Sequence, residues 1–248
     1  MQLGKVSAIS LDLDDTLWPF HGALMRAETA LHAWLITHAP KSATVLPTWQ
    51  ALGEWRDRYA ITRPDLDGDF QALRMGSIRH LLELANEDVT LTEDAYGVFY
   101  AARQNVEFFE DALPALAWLS TRFPLVAVSN GNANLQLTGG GEFFRATLSA
   151  AVFGHAKPHY AIFHAAADSV GVPPREMLHV GDDFDLDVVG ALNAGLQAAW
   201  VVRDVPIEPN RRALPPEIAH LSHLTIADLS LLCVALGGPD SLLLAAKA

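Results

Sequence analysis

Four short stretches place chemically capable side chains at the ends of apolar runs. The first is Ala8 to Trp18, AISLDLDDTLW, in which an apolar run ends in Asp12, Asp14 and Asp15. On a strand, residues two apart share a face, so Asp12 and Asp14 can point into one site. Two carboxylates ~4 Å apart repel by about 4 kcal/mol at an effective dielectric near 20. Such a pair calls for a cation, a shared proton or separation. Taken alone, the pair also suits a helix start, with either acid as the N-cap. The second stretch, Val126 to Gly131, carries Ser129 and Asn130. Its hydroxyl and turn N–H groups can donate to phosphate oxygens, although a plain Ser-Asn-Gly turn reads the same way. The third is Lys157-Pro158, holding one of only four lysines. The fourth runs from His179 to Asp187, an apolar strand ending in glycine and then Asp182, Asp183, Asp185 and Asp187. Acids at a helix start suit the dipole, but four in six residues is costly unless a hard cation such as Mg2+ binds them.

The elements that must hold these groups follow from periodicity. Ile9 and Leu11 alternate with Ser10 and Asp12, as in a buried strand. From Pro19 to about Phe109 the pattern is helical. Leu24, Ala27, Leu31, Trp34 and Leu35 form one stripe, ended by Pro40. Further helices are expected at Thr48–Tyr59, at Asp69–Ala85 and after the capping signal Thr90-Leu91-Thr92-Glu93. Beyond Asp111, helices and strands alternate. Helices are expected at Asp111–Arg122, Tyr160–Val170 and Asp185–Ala194, and strands at Leu125–Val128, Ala151–Phe153, Met177–Val180 and Ala198–Val202. Arg203–Ser222, with four prolines, reads as loop with a short helix, Ile226–Leu236 as a closing helix, and Gly237–Ala248 as a frayed end. The rhythm predicts an α/β fold: a Rossmann-like parallel sheet with helices on both faces and a helical domain inserted after the first strand. The expected domains are 1–18 with 110–248 for the sheet, and 19–109 for the helices. Ligands of such sheets bind beyond the carboxyl ends of the strands, where all four stretches lie.

Composition narrows the functional classes. The 248-residue chain is half hydrophobic and carries a net charge of -12. That acidity argues against nucleic acid, which needs a basic footprint, and any anionic substrate must meet a local cation. The lone cysteine, Cys233, lies in an apolar run and forms no internal disulfide. No signal peptide and no membrane-spanning run are expected, so a cytoplasmic location is the default. His155 and His159 are four apart, but Pro158 disfavours a helical zinc site there. The helical insert mixes arginines such as Arg56, Arg58 and Arg74 with Trp55, Tyr59 and Phe99. A flat substrate ring could stack on these, although such residues more often form domain core and solvated faces.

DLDDTL, SNG, KP and GDDxxxD in this order resemble the haloacid dehalogenase superfamily of phosphohydrolases, with residues 19–109 placed as its type-one cap. SNGNANL, Lys157-Pro158 and LHVGDDFDLDVVGALNAG further resemble bacterial phosphatases of flavin mononucleotide and of the phosphorylated pyrimidine of riboflavin synthesis. The resemblance implies an Mg2+-dependent phosphatase acting on a small phosphate ester. It makes Asp12 the nucleophile and Asp14 the general acid and base. It gives Mg2+ to Asp12, Asp182 and the Asp14 carbonyl, and phosphate to Ser129, Asn130 and Lys157. Asp183 and Asp187 would orient Lys157 or metal-bound waters, and Thr16 would brace the loop. Sugar-phosphate hydrolysis or mutation fits the same core. Dehalogenation is disfavoured because dehalogenases of the family replace the second aspartate, and a phosphonatase would need a cap lysine, for which only Lys41 is available. Among non-enzymes, a phosphoryl-accepting signalling domain would be shorter and would place Lys-Pro after its last acids. A phosphate sensor would not need the full set of polar groups.

Overall fold

The computed structural model describes residues 3–66, 68–203, 221 and 223–245. Six parallel strands form one sheet: β1 (Ala8–Leu11), β2 (Leu125–Ser129), β3 (Ala146–Ser149), β4 (Met177–Gly181), β5 (Gln197–Val201) and β6 (His223–Ile226), in the order β3-β2-β1-β4-β5-β6. Every residue of β1, β2 and β4 is buried. That is the signature of central parallel strands covered on both faces, and it makes them continuous apolar runs. Ala8, Val126, Val128 and Ala198 pack into one cluster with Ile162, Phe163, Ala166 and Ala191 from the helices Tyr160–Ser169 and Gly190–Asn193. By strand alternation Ile9, Leu11, Leu125, Ala127 and Val180 face the other way, and they too are fully buried.

The chain divides into two compact units. One comprises Met1–Pro19, Phe108–Gly131 and Gly139–Ala248, and the other Phe20–Glu107 and Asn132–Thr138. The first holds the sheet. The second is built on the helices Phe20–His38, Trp49–Thr62, Phe70–Leu84 and Thr92–Arg103. Its core contains Leu31, Leu35, Ile78, Leu81, Leu82 and Phe99. Within it, Arg74 and Glu28 form a buried two-bond ion pair at 2.6 and 3.2 Å, and the Arg74 guanidinium lies over the Phe99 ring.

The departures from the periodic expectations are local. Ala151–Phe153 is not a strand. Its residues belong to the short helix Ala150–Phe153, and the strand is the preceding Ala146–Ser149. This edge strand is only partly buried, so it lacks the apolar run that marks β2 and β4. Ile226 ends β6 rather than opening a helix; the helix begins at Leu229, capped by Asp228. Thr90 is not the helix cap. Asp88 accepts its N–H at 2.9 Å and starts a 3-10 turn, and the helix follows from Thr92. The helix expected at Asp185–Ala194 begins as a π-helical segment, Phe184–Val189. Most of the expected Arg203–Ser222 loop, and the last residues of the expected frayed end, lie outside the described residues. No described helix is long and apolar enough to cross a membrane.

Candidate active site

Asp12 leaves β1 with its N–H donated to the Val180 carbonyl of β4, 2.9 Å away. Pairing of β1 with both β2 and β4 brings the ends of all three strands to one edge. Lys157 meets Asp12 there. Its buried Nζ lies 2.5 Å from Asp12 Oδ1 and 2.6 Å from Asp187 Oδ1. Asn130, at the end of β2, fixes where this lysine stands. The Lys157 N–H donates to Asn130 Oδ1 at 2.7 Å, and Asn130 Nδ2 donates to the Lys157 carbonyl at 2.9 Å. Asn130, expected at the phosphate, thus has its side-chain amide engaged with the Lys157 backbone. Ser129, also expected there, is buried, and its Oγ accepts the Gly131 N–H at 3.0 Å, closing the turn.

Asp187 reaches the site because β4 ends in glycine. A Cβ on Gly181 would collide with the Asp187 carboxyl carbon and Oδ2. The carboxylate accepts from Lys157, from His179 Nε2 at 3.0 Å and from the Asp183 N–H at 3.0 Å. Asp183 itself does not touch the lysine. Its exposed side chain accepts from the N–H groups of Asp185 and Leu186 and caps the helical turn. Asp182 accepts from Thr16 Oγ1 at 3.1 Å, and its carbonyl accepts from Trp200 Nε1 at 2.8 Å. Asp14 Oδ1 accepts from Trp18 Nε1 at 2.8 Å, across a turn in which Asp15 has a φ of 58°. That left-handed geometry is one that aspartate tolerates.

Asp12, Asp182 and Asp187 each offer a carboxylate oxygen within 4.8 Å of the others. Against these three, the described ion pairs provide one full cation, Lys157. Burial pushes the Asp12 carboxyl well above the usual range, and Asp187 and Asp182 push the same way against the pull of Lys157. Burial, then Asp187 and Asp15, raise Asp182 to about 7. Burial opposes ionisation of Asp187 as well, but Lys157 and His179 outweigh it and bring it to about 2. Burial would lower Lys157, yet Asp12 and Asp187 raise it. The lysine is thus a firm cation, and the Asp12–Asp182 side is short of positive charge. An all-oxygen, carboxylate-rich cluster with that deficit fits a hard divalent cation.

Two further networks went unforeseen in the sequence. Ser10 Oγ lies 2.8 Å from His179 Nδ1, both fully inside the sheet. Their signal was a polar residue inside each apolar strand. Burial lowers the His179 pKa despite the pull of Asp187. Arg203 and Asp111 form the second, paired at 2.7 and 3.0 Å. Arg203 also donates to the Thr16 carbonyl at 2.6 Å, while Asp111 accepts the Leu229 N–H at 2.8 Å. Thr16, expected as a brace, is therefore held at its carbonyl and bonded through its hydroxyl to Asp182.

A family model described as haloacid dehalogenase-like hydrolase matches residues 6–195. The chain is 32% identical over 233 residues to the 5-amino-6-(5-phospho-D-ribitylamino)uracil phosphatase YigB of Escherichia coli, covering 90% of this chain and 96% of that one. It is 27% identical over 206 residues to a glyceraldehyde 3-phosphate phosphatase of Methanopyrus kandleri, covering 80% of this chain and 84% of the other. Among solved structures, a 2-haloacid dehalogenase from Pseudomonas syringae superposes with a TM-score of 0.79 at 32% identity, covering 94% of this chain and 98% of that chain.

Proposed function

Because this chain belongs to the haloacid dehalogenase-like hydrolases, a family in which its relatives are named phosphatases, we propose that it hydrolyses a small phosphate monoester through an aspartyl-phosphate on Asp12. The proposed substrate class is the riboflavin-pathway phosphates, flavin mononucleotide or the phosphorylated ribitylaminouracil, on the similarity to YigB over nearly the full length of both chains. The observation that carries the chemistry is the buried Lys157 ammonium shared by Asp12 and Asp187, beside an Asp182 that forms no ion pair among the described residues.

Asp12 attacks phosphorus through a carboxylate oxygen, and the bond from phosphorus to the ester oxygen breaks. Asp14 gives its proton to the departing oxygen, then takes one from the water that attacks the aspartyl-phosphate and frees Asp12. Lys157 holds phosphoryl oxygens and steadies Asp12, and Ser129 donates its hydroxyl to the phosphate. Asn130 and Asp187 act through Lys157, the one on its backbone and the other on its ammonium. Asp12, Asp182 and the Asp14 carbonyl would hold Mg2+, with Thr16 bracing Asp182 and Asp183 capping the turn that presents Asp187. When bound, the ion neutralises charge on the transferring phosphoryl group. Residues 1–18 and 110–248 carry this chemistry, and the helical residues 19–109 choose the substrate.

The similarity to a 2-haloacid dehalogenase structure favours a second reading, carbon–halogen hydrolysis by the same Asp12. A halide leaving group needs no acid, and the retained Asp14 weighs toward the phosphate ester. A screen for released phosphate with Mg2+, over flavin mononucleotide, the ribitylaminouracil phosphate, sugar phosphates and nucleotides, decides the matter when run beside halide release from 2-haloacids. Phosphate release that is lost in Asp12→Asn and lowered ~10²–10⁴-fold in Asp14→Asn supports the proposal. Halide release without phosphate release overturns it.

A further inference from the structure

Behind the site an unbroken chain runs from Ser10 through His179, Asp187 and Lys157 to Asp12. The proposed reaction gives no task to its first two members. Ser10 and His179 are register partners on the neighbouring strands β1 and β4, so both side chains rise from the same face of the sheet. Phe163 closes against the imidazole edge-on, with ring centroids 5.0 Å apart. An ionised carboxylate can only accept, so His179 Nε2 must carry a proton to bond Asp187 Oδ1 at 3.0 Å. In a neutral ring Nδ1 is then an acceptor, and the Ser10 hydroxyl 2.8 Å away is placed to donate to it. The carboxylate thus sets the tautomer, and the serine hydroxyl turns to satisfy the nitrogen left as acceptor.

Asp187 needs such a restraint because two partners compete for it. Its Oδ1 is on Lys157, yet the same side chain has an oxygen within 4.8 Å of those of Asp12 and Asp182, where a cation would draw it. We propose that His179, held as the Nε2–H tautomer by Asp187 and satisfied at Nδ1 by Ser10, is a positioning residue that keeps Asp187 on Lys157 and thereby keeps the ammonium at Asp12. The kinetic consequence rests on the phosphatase reading; the tautomer does not.

Three substitutions separate a hydrogen-bond role from space filling. Glutamine places a donor near the position of Nε2, asparagine places one only near Nδ1, and leucine places none. With a phosphate ester and Mg2+, kcat/KM is expected to fall about 10²-fold in His179→Leu and His179→Asn, the scale of a misplaced reacting group. His179→Gln should recover most of the loss. Nitrogen-15 NMR of the histidine rings in the wild-type protein reads the tautomer without turnover. Nε2 should be protonated, and the Nδ1 resonance should shift in Ser10→Ala. An Nδ1–H tautomer, or folded Leu and Asn variants that turn over like Gln, would overturn the proposal. If the wild-type protein releases phosphate from no ester, the phosphatase reading fails and the NMR result still decides the tautomer.

Discussion

Gly181→Ala perturbs the site without altering any group assigned to the reaction. Gly181 sits in β4, paired with Trp200 of β5, so its backbone cannot retreat. A Cβ there would stand 2.6 Å from Asp187 Cβ and closer still to the carboxyl carbon and Oδ2. Asp187 has almost no exposed surface and no long stem to flex. Its carboxylate must leave, surrendering its bonds to Lys157, His179 and the Asp183 N–H. Breaking one side of a buried ion pair costs about 3–5 kcal/mol, and we expect a loss of that size in urea unfolding. A lysine released from one of its two carboxylates should cost roughly 10²-fold in kcat/KM, read as phosphate release in the fraction that remains folded. Gly97→Ala is the control. It lies on an exposed helix face with nothing within 4 Å of the new methyl, and it should stabilise by up to about 1 kcal/mol. A Gly181→Ala protein with unchanged stability and turnover would refute the placement of Asp187.

Other outcomes follow from the same physics. Arg203→Met strands a buried Asp111 carboxylate and frees the Thr16 carbonyl, so unfolding should show a loss of about 3–5 kcal/mol. Because Thr16 also bonds Asp182, the Mg2+ concentration for half-maximal phosphate release should rise in that variant. In the helical unit, Arg74→Met alone should cost about 3–5 kcal/mol, and adding Glu28→Leu should recover much of it, since an apolar pair replaces a buried ion pair nearly neutrally. Chelation by EDTA should abolish phosphate release and Mg2+ should restore it; activity that survives chelation would remove the metal from the account.

What could be read in advance tracks burial. β1, β2 and β4 are central, covered on both faces, and therefore visible as apolar runs that stop at polar residues. The same stops exposed Asp12, Ser129 and Asp182, and Lys157 stood out because lysine is rare in this chain. β3 and β6 are edge strands with half-wet residues, and their weaker pattern put a strand at Ala151–Phe153 and hid the one at His223–Ile226. Ser10 and His179 were hidden differently. A polar residue inside a strand normally alternates toward water, and only the register of β1 on β4 shows that these two meet in the interior. Asp111 and Arg203 lie 92 residues apart, beyond the reach of any local pattern, and each alone passes for a helix start or a loop residue. Asn130 was seen, but its bonds to the Lys157 backbone required the fold.

The most direct test is to stop the reaction with acid during steady-state turnover of a phosphate ester and map the modified peptide by mass spectrometry. A phosphoryl group on the peptide containing Asp12, absent from Asp12→Asn, is the predicted result. Phosphate carried by another residue, or undiminished turnover in Asp12→Asn, would contradict it.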